Sequence, residues 1–195
     1  MATMFEKVEK PFLKHRRTPH MEFELRLGKK APNMFDTNIG KEKWERILKG
    51  LQNYKHWEDT KETRSTVYQT GDYRVVVDDE SSEQDVHKKK KLQVIDIPLK
   101  DQPLDVRVSM STEEPSEIPE DMEFQKIRER KRYSFLRKNL WIELTQWMGQ
   151  AEDLDDENEI QYQVELEIDD VNKVTDDVLM KNILHKAYNV MELLV

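Results

Sequence analysis

The sequence lacks several features that define common classes of protein. It has no cysteine among its 195 residues, which excludes disulfide bridges, thiolate zinc sites and cysteine nucleophiles. Its longest stretch without a charged residue or histidine is residues 144–151, 8 residues long, whereas a membrane-spanning helix needs about 20. Residues 1–17 are charged throughout and lack the apolar core of a signal peptide. We therefore expect a soluble intracellular protein without a membrane span.

The chain also lacks an excess of basic residues, since 32 Lys and Arg face 40 Asp and Glu, giving a net charge of −8. This balance argues against a protein that coats nucleic acid, because such proteins bind through basic surface. The charges are unevenly spread: residues 126–138 hold seven basic residues and one acidic residue, and residues 152–159 hold six acidic residues. Such blocks can be solvated faces or parts of a binding site.

The apolar pattern predicts a mainly β chain with two amphipathic helices. Apolar residues recur at helical spacing over residues 40–54 and 175–195. They alternate with polar residues, as in strands, in eight further segments. These segments are residues 21–27, 64–70, 73–78, 90–97, 105–113, 124–135, 141–147 and 160–169, with an acidic loop between the last two. The first 18 residues show no clear period and are predicted to be a polar lead-in.

Almost every predicted strand has one face rich in charge. Carboxylates form rows at Glu22 and Glu24 on the first strand and at Glu165 and Glu167 on the last, while residues 128–132 carry a row of arginines. An open antiparallel sheet would leave these faces in water. A closed barrel of about eight strands would instead place them inside, with the apolar faces outside beneath the helices. Patterning alone leaves both arrangements open.

A polar barrel interior of this composition would suit a polyanionic ligand. Carboxylates from two strands can hold a hard divalent cation, and magnesium or manganese characteristically bridges carboxylates and substrate phosphates. Arginine and lysine would bind the remaining phosphate oxygens. Histidines show no metal-ligand spacing and are assigned no role; they are His15, His20, His56, His87 and His185. The four tryptophans are expected to pack rather than to stack on bases.

Five motifs in order resemble a known family. They are residues 22–28 (Glu-Phe-Glu-Leu-Arg-Leu-Gly), 105–113, 128–135, 141–145 and 163–167 (Gln-Val-Glu-Leu-Glu). They resemble the tunnel-type, metal-dependent RNA triphosphatases of fungal, protozoan and large DNA virus mRNA capping systems, which are triphosphate tunnel metalloenzymes. The resemblance spans residues 21 to about 169. It implies a mainly β (α+β) fold, in which a closed antiparallel barrel of about eight strands forms a polar triphosphate tunnel with outer amphipathic helices.

The resemblance also implies roles for individual residues. The metal ligands, for Mg or Mn, would be Glu22, Glu24, Glu165 and Glu167. Glu113 would position or deprotonate the attacking water. The other catalytic residues would be Arg74, Lys90, Arg130 and Arg132, where Lys90 is chosen from the lysine run at residues 88–91. The substrate contacts would be Arg74, Lys90, Arg107, Arg128, Arg130, Arg132 and Glu143. The sequence departs from the family pattern at Gln163, often glutamate, and at Arg130, usually lysine.

The implied function is hydrolysis of the γ-phosphate of 5′-triphosphate RNA to a 5′-diphosphate end, the first step of mRNA capping. We expect residues 1–195 to be one domain of a longer capping enzyme, the N-terminal domain of a large DNA virus enzyme. Guanylyltransferase and methyltransferase domains would follow in the same chain. The compartment would be the cytoplasm, viral factory or virion for a viral protein and the nucleus for a cellular one. Two alternatives stay open: a tunnel hydrolase for inorganic tripolyphosphate or nucleoside triphosphates, and a noncatalytic phosphate- or RNA-binding module.

Overall fold

The structure is a computed structural model that describes residues 2–118, 123–149 and 160–195. Within these ranges it has three α-helices, nine strands and a short 3-10 helix, Val171–Lys173. The α-helices are α1 (Ala2–His15), α2 (Lys41–Asn53) and α3 (Asp177–Glu192). The strands are β1 (Met21–Lys30), β2 (Phe35–Asp36), β3 (Asp59–Thr70), β4 (Tyr73–Asp78), β5 (Gln84–Ile97), β6 (Asp105–Pro115), β7 (Lys126–Arg137), β8 (Leu140–Met148) and β9 (Gln161–Ile168). The predicted acidic loop at residues 152–159 lies outside the described residues.

Eight of the strands close into an antiparallel barrel, which confirms the predicted fold class. The strand order is β1-β6-β5-β4-β3-β7-β8-β9, and β9 pairs back with β1. The closing pair aligns Glu24 with Glu167 and Arg26 with Glu165. The short β2 adds to the end of β1 beyond this seam. Closure leaves the barrel without a free sheet edge and turns one face of every strand inward.

The alternation of residues along each strand decides which face turns inward. On β1 the apolar Phe23, Leu25 and Leu27 are fully buried, and they point away from the face that carries Glu22 and Glu24. Burial of apolar surface is the main favourable term in folding, so the apolar faces pack under the helices. The barrel interior is left to the charged faces.

The two predicted helices cover the barrel as expected. In α2 the apolar Trp44, Ile47 and Leu51 are buried, and the Trp44 ring meets Tyr133 and Tyr162 edge-on at centroid distances of 5.9 and 5.6 Å. In α3 six side chains are buried: Met180, Ile183, Leu184, Ala187, Val190 and Met191. Among the described residues, no helix has the length and apolar character needed to span a membrane.

The prediction of a polar lead-in over the first 18 residues is wrong. Residues 2–15 form α1, whose Met4, Val8 and Phe12 are buried in the core. The Phe12 ring meets Phe23 of β1 edge-on at 5.6 Å. The apolar residues recur every four positions on one narrow stripe, and the intervening charges and Pro11 concealed it. Tertiary packing of that stripe offsets the helix-breaking tendency of an internal proline.

Two strands begin earlier than predicted. β3 starts at Asp59 rather than at residue 64, and β5 starts at Gln84 rather than at residue 90. Their early residues are mostly exposed or partly exposed, and the buried one among them, His87, is polar. A strand without a buried apolar face lacks the period of two on which the prediction depends. The turn between β3 and β4 is confirmed, with Gly71 at φ +52°.

Candidate active site

The barrel encloses a polar cavity of about 420 Å³ that opens to solvent. We call this cavity the tunnel. Nine of the twelve predicted site residues line it: Glu22, Glu24, Arg74, Glu113, Arg128, Arg130, Arg132, Glu165 and Glu167. Lys90, Arg107 and Glu143 are not among its lining residues. The tunnel has an anionic wall on β1 and β9 and a cationic wall on β4 and β7.

The anionic wall is built at the seam where the barrel closes. Glu24 and Glu167 are register partners across β1 and β9. Burial raises the pKa of Glu167 well above its usual range, and the charges of Glu22, Glu143 and Glu24 raise it further. Burial likewise raises the pKa of Glu22 to about 7, assisted by a hydrogen bond with Glu113. Burial and neighbouring carboxylates therefore disfavour the charged forms of Glu22 and Glu167, and a cation bound beside them would favour those forms.

Two cationic side chains pair with this wall. The Lys89 Nζ lies 2.8 Å from Glu22 Oε2 and 3.8 Å from Glu24 Oε2. The Arg26 Nε lies 2.9 Å from Glu165 Oε1 and also contacts Glu24. In the described part of the chain no three acidic or histidine side chains are arranged to hold a metal ion. The oxygen donors suit a hard cation, but their side chains would have to turn from Lys89 and Arg26 to bind one.

The prediction that Lys90 enters the tunnel is wrong, because Lys89 takes that place. The Lys89 side chain lines the tunnel and reaches Glu113 Oε2 at 3.3 Å in addition to the β1 glutamates. Burial opposes its charge, but the carboxylates of Glu24, Glu22 and Glu113 raise its pKa. Lys90 is exposed on the opposite face of β5. A run of four lysines contains no apolar residue that shows which face is inward.

The cationic wall contains arginines in two different states. Arg132 contacts Glu143 and places its Nη2 3.2 Å from Glu165 Oε2. Burial opposes the charge of Arg132, but these carboxylates outweigh it and raise its pKa. Arg130 instead donates from Nε to the neutral Ser65 Oγ at 2.9 Å. Burial and the charge of Arg132 lower the pKa of Arg130 to about 10. Arg130 is therefore the cation in this pair that an incoming anion would stabilise most.

The other two predicted contacts lie beside the tunnel. Arg107 pairs with Asp96, with Nε 2.7 Å from Oδ1, and its guanidinium lies 4.8 Å from the ring centroid of Phe35. Its fixed ion pair argues against the predicted substrate contact. Glu143 accepts a hydrogen bond from Ser134 Oγ at 3.1 Å and contacts Arg132. Glu143 therefore holds Arg132 in place.

Gln163 has different partners from the glutamates of the anionic wall. Its Oε1 accepts a hydrogen bond from Trp147 Nε1 at 3.2 Å, and its Nε2 donates to Thr37 Oγ1 at 3.0 Å. An amide can both accept and donate, which a carboxylate cannot. The Arg128 guanidinium lies 4.3 Å from the centroid of the Trp147 ring. Gln163 thus fixes an aromatic part of the tunnel wall beside the arginines.

Sequence reasoning missed His87, which was assigned no role. Its side chain lines the tunnel, is 8% exposed, and contacts Glu113 through Nε2. Despite burial, which acts in the opposite direction, contacts with His87 and Glu22 and the charge of Lys89 lower the pKa of Glu113 well below its usual range. The available signal was alternation, since residues 85, 87 and 89 share one strand face. Predicting the start of β5 at residue 90 concealed it.

Comparisons with known proteins agree with this architecture. The sequence model of the family described as "mRNA capping enzyme, beta chain" matches residues 14–192. The S. pombe Pct1 RNA triphosphatase structure has a TM-score of 0.78 at 17% identity, covering 96% of this chain and 91% of that chain. The RNA triphosphatase domain of a trifunctional Mimivirus mRNA capping enzyme gives 0.68 at 15% identity, covering 100% and 97%. At these identities the two structures show a shared fold. A search of curated proteins gave no match.

Proposed function

The chain belongs to the family of mRNA capping enzyme beta chains, and we propose that it performs the reaction of this family in the tunnel. That reaction is the hydrolysis of 5′-triphosphate RNA as the first step of capping. The product would be a 5′-diphosphate end ready for guanylylation. The supporting observation is the division of the tunnel into the anionic wall, hereafter the carboxylate wall, and the cationic wall, hereafter the arginine wall. A triphosphate end brings several negative charges, which need cations on every side.

The arginine wall would bind the phosphate oxygens. Arg130 is the first candidate, because burial and a neighbouring cation lower its pKa to about 10. A bound anion would raise this pKa again. Arg74 and Arg128 line the same cavity. Guanidinium groups bind phosphate oxygens in bidentate fashion. Arg132 would contribute less to phosphate binding, because Glu143 and Glu165 already compensate its charge.

The carboxylate wall fits a divalent cation. Glu22, Glu24 and Glu167 would hold Mg²⁺ or Mn²⁺, with Glu165 contributing once it separates from Arg26. The raised pKa of Glu167, caused by burial and neighbouring carboxylates, supports this assignment from the chain itself. Once bound there, a divalent cation would neutralise negative charge on the phosphate oxygens. Lys89, which pairs with Glu22 at 2.8 Å, would then be available to the substrate.

Glu113 would orient the attacking water. Its lowered pKa keeps the carboxylate ionised near neutral pH, so it is a strong hydrogen-bond acceptor but a weak base. This favours positioning of the water over early removal of its proton. The water oxygen would bond to the γ-phosphorus while the bridging P–O bond breaks and its electron pair stays on the β-phosphate oxygen. A proton of the water would pass to a phosphate oxygen. The reaction needs no covalent enzyme intermediate.

A tripolyphosphate hydrolase is the second candidate function. The charged walls would bind the triphosphate group, which inorganic tripolyphosphate and nucleoside triphosphates also contain. The experiment compares RNA carrying a γ-labelled triphosphate end with inorganic tripolyphosphate and a nucleoside triphosphate, each at low concentration with Mg²⁺. Our proposal predicts the highest kcat/KM for RNA, with inorganic phosphate and 5′-diphosphate RNA as products. A higher value for tripolyphosphate or the nucleoside triphosphate would favour that substrate. Binding of RNA by a folded protein without phosphate release would favour the noncatalytic module.

We also propose that residues 1–195 form a single triphosphatase domain of a multidomain capping enzyme. The supporting observation is that the Mimivirus relative is described as the triphosphatase domain of a trifunctional capping enzyme. Guanylyltransferase and methyltransferase domains in the same full-length chain would use the diphosphate end in turn. Such an enzyme would work where its RNA is made, in the nucleus of a cell or in a viral factory in the cytoplasm.

A further inference from the structure

His87 is a buried, polar residue of the tunnel to which the proposed hydrolysis gives no task. It stands on β5 two residues before Lys89, so both side chains face inward. Its register neighbours are Arg74 on β4 and Pro115 on β6. Imidazole at 8% exposure in a cavity lined by arginines and carboxylates is not a packing residue of the apolar core. Its contacts therefore point to a role in the tunnel.

Each ring nitrogen of His87 lies near a different carboxylate. Nε2 contacts Glu113 Oε1, and Nδ1 lies 3.7 Å from Asp85 Oδ2, whose side chain is 79% exposed. The second oxygen of Glu113, Oε2, lies 3.3 Å from Lys89 Nζ. Both oxygens of the Glu113 carboxylate thus contact side chains of β5, one His87 and the other Lys89. The last torsion of a glutamate is broad and nearly free, so the contacts with His87 and Lys89, together with the hydrogen bond to Glu22, define how the carboxylate plane lies.

We propose that His87 is a positioning residue that fixes the Glu113 carboxylate in the orientation needed to align the attacking water. The inference rests on the proposed function, in which Glu113 orients that water. Lys89 alone cannot supply the orientation, because it also pairs with Glu22 at 2.8 Å and holds Glu113 at a longer distance. Misplacement of a reacting group by about 1 Å costs on the order of 100-fold in rate. Loss of His87 should therefore act on the chemical step.

The test compares three substitutions in the chain as it stands. His87→Gln retains an N–H near the position of Nε2, whereas His87→Asn is shorter and places its N–H near the position of Nδ1. His185→Gln, on the exposed side of α3, is the matched control. Steady-state release of γ-phosphate from triphosphate RNA at saturating Mg²⁺ gives kcat and KM for each, and thermal unfolding reports whether each variant is folded.

We expect His87→Asn to lower kcat by about 100-fold with KM changed by less than about twofold, as expected for an effect of positioning rather than of binding. His87→Gln should recover most of the lost kcat, and His185→Gln should match the wild type. Three results would overturn the proposal: an unchanged kcat in His87→Asn, a raised KM with unchanged kcat, or equal losses of kcat in His87→Asn and His87→Gln.

A parallel Glu113→Gln variant separates failure of this inference from failure of the proposed function. If Glu113→Gln is nearly inactive and His87→Asn is fully active, the positioning role of His87 is wrong and the role of Glu113 stands. If Glu113→Gln keeps full activity, the role of Glu113 is wrong and the positioning role fails with it. If His87→Asn does not fold, His87→Leu, which also lacks an N–H near the position of Nε2, takes its place with the same expected loss of kcat relative to His87→Gln.

Discussion

Glu24 on β1 and Glu167 on β9 are direct register partners in the strand pair that closes the barrel. Closure therefore requires two carboxylates to come together at a buried position, where Glu24 is 6% exposed. Like charges directly opposite each other destabilise a strand pair. The fold retains this arrangement at the place where a divalent cation would be held, which links the closing of the barrel to the chemistry proposed for it.

The first prediction concerns the pH dependence of stability without metal. The pKa of Glu167 is raised well above 4.5 and that of Glu22 to about 7, chiefly by burial. A carboxyl group with a raised folded-state pKa holds a proton that the unfolded chain has released, so its contribution is present at low pH and lost as the pH rises through the folded pKa. In chelator, the melting temperature should fall between about pH 5 and about pH 8.

Glu167→Gln should remove part of this fall, because the amide stays neutral, and it should melt higher than the wild type at about pH 8. Glu113 and Glu165 have lowered pKa values, so their titration contributes below pH 4.5 and does not conceal the effect. Thermal unfolding across this pH range is the measurement. Parallel curves for the variant and the wild type would contradict the assignment.

The second prediction separates catalysis from binding at Glu113. Glu113→Gln keeps the size of the side chain but removes the charge that orients water, so kcat should fall by about 100- to 10,000-fold. The affinity for a nonhydrolysable triphosphate analogue should change little, because the proposed phosphate contacts lie on the arginine wall. Single-turnover kinetics and equilibrium binding give the two quantities. Equal losses in both would indicate a binding role instead.

The third prediction contrasts two neighbouring arginines. Arg132→Met leaves Glu143 and Glu165 without their shared cation, and breaking such a buried pair costs about 3–5 kcal/mol of unfolding free energy. Arg130→Met removes a crowded cation bound to a serine hydroxyl, so it should leave stability nearly unchanged and weaken triphosphate binding. Urea unfolding and analogue binding test both variants. A stable Arg132→Met protein with weak binding would reverse the two roles.

The fourth prediction uses adjacent lysines as a matched pair. Lys89 faces the tunnel and contacts three glutamates, whereas Lys90 is exposed on the outer face. Lys89→Met should lower kcat/KM by more than about tenfold, and Lys90→Met should stay within about twofold of the wild type. Phosphate release from triphosphate RNA is the assay. A larger loss in Lys90→Met would show that the lysine run uses its other face.

Alternation made much of the site predictable. On β1 and β9 apolar residues separate the glutamates, so a period of two shows that Glu22, Glu24, Glu165 and Glu167 share the polar side of their strands. Sequence alone left an open sheet and a barrel as alternatives, because the inward turn of those faces depends on the pairing of β1 with β9. The ordered motifs supplied that closure by resemblance, and the strand pairing confirms it.

The misses share a physical cause. Early β5 contains mostly polar and charged residues, so no apolar face marked which side of the strand is inward. The inward positions of Lys89 and His87 were therefore not predicted. The stripe of α1 is narrow and interrupted by Pro11, and its helical form depends on packing against the barrel. Arg107 was named as a substrate contact by resemblance, and its ion pair with Asp96 depends on the pairing of β5 with β6. Each miss required a tertiary partner to correct.

The most direct measurement of the central claim is γ-phosphate release from triphosphate RNA in the presence of Mg²⁺, Mn²⁺ or chelator. Wild type would be assayed beside Glu24→Gln, at the barrel seam, and Glu129→Gln, an exposed glutamate of β7. We predict metal-dependent release in the wild type and in Glu129→Gln, and loss of release in folded Glu24→Gln. Undiminished release in chelator, or full metal-dependent activity in Glu24→Gln, would contradict the proposal that the carboxylate wall holds a divalent cation for hydrolysis.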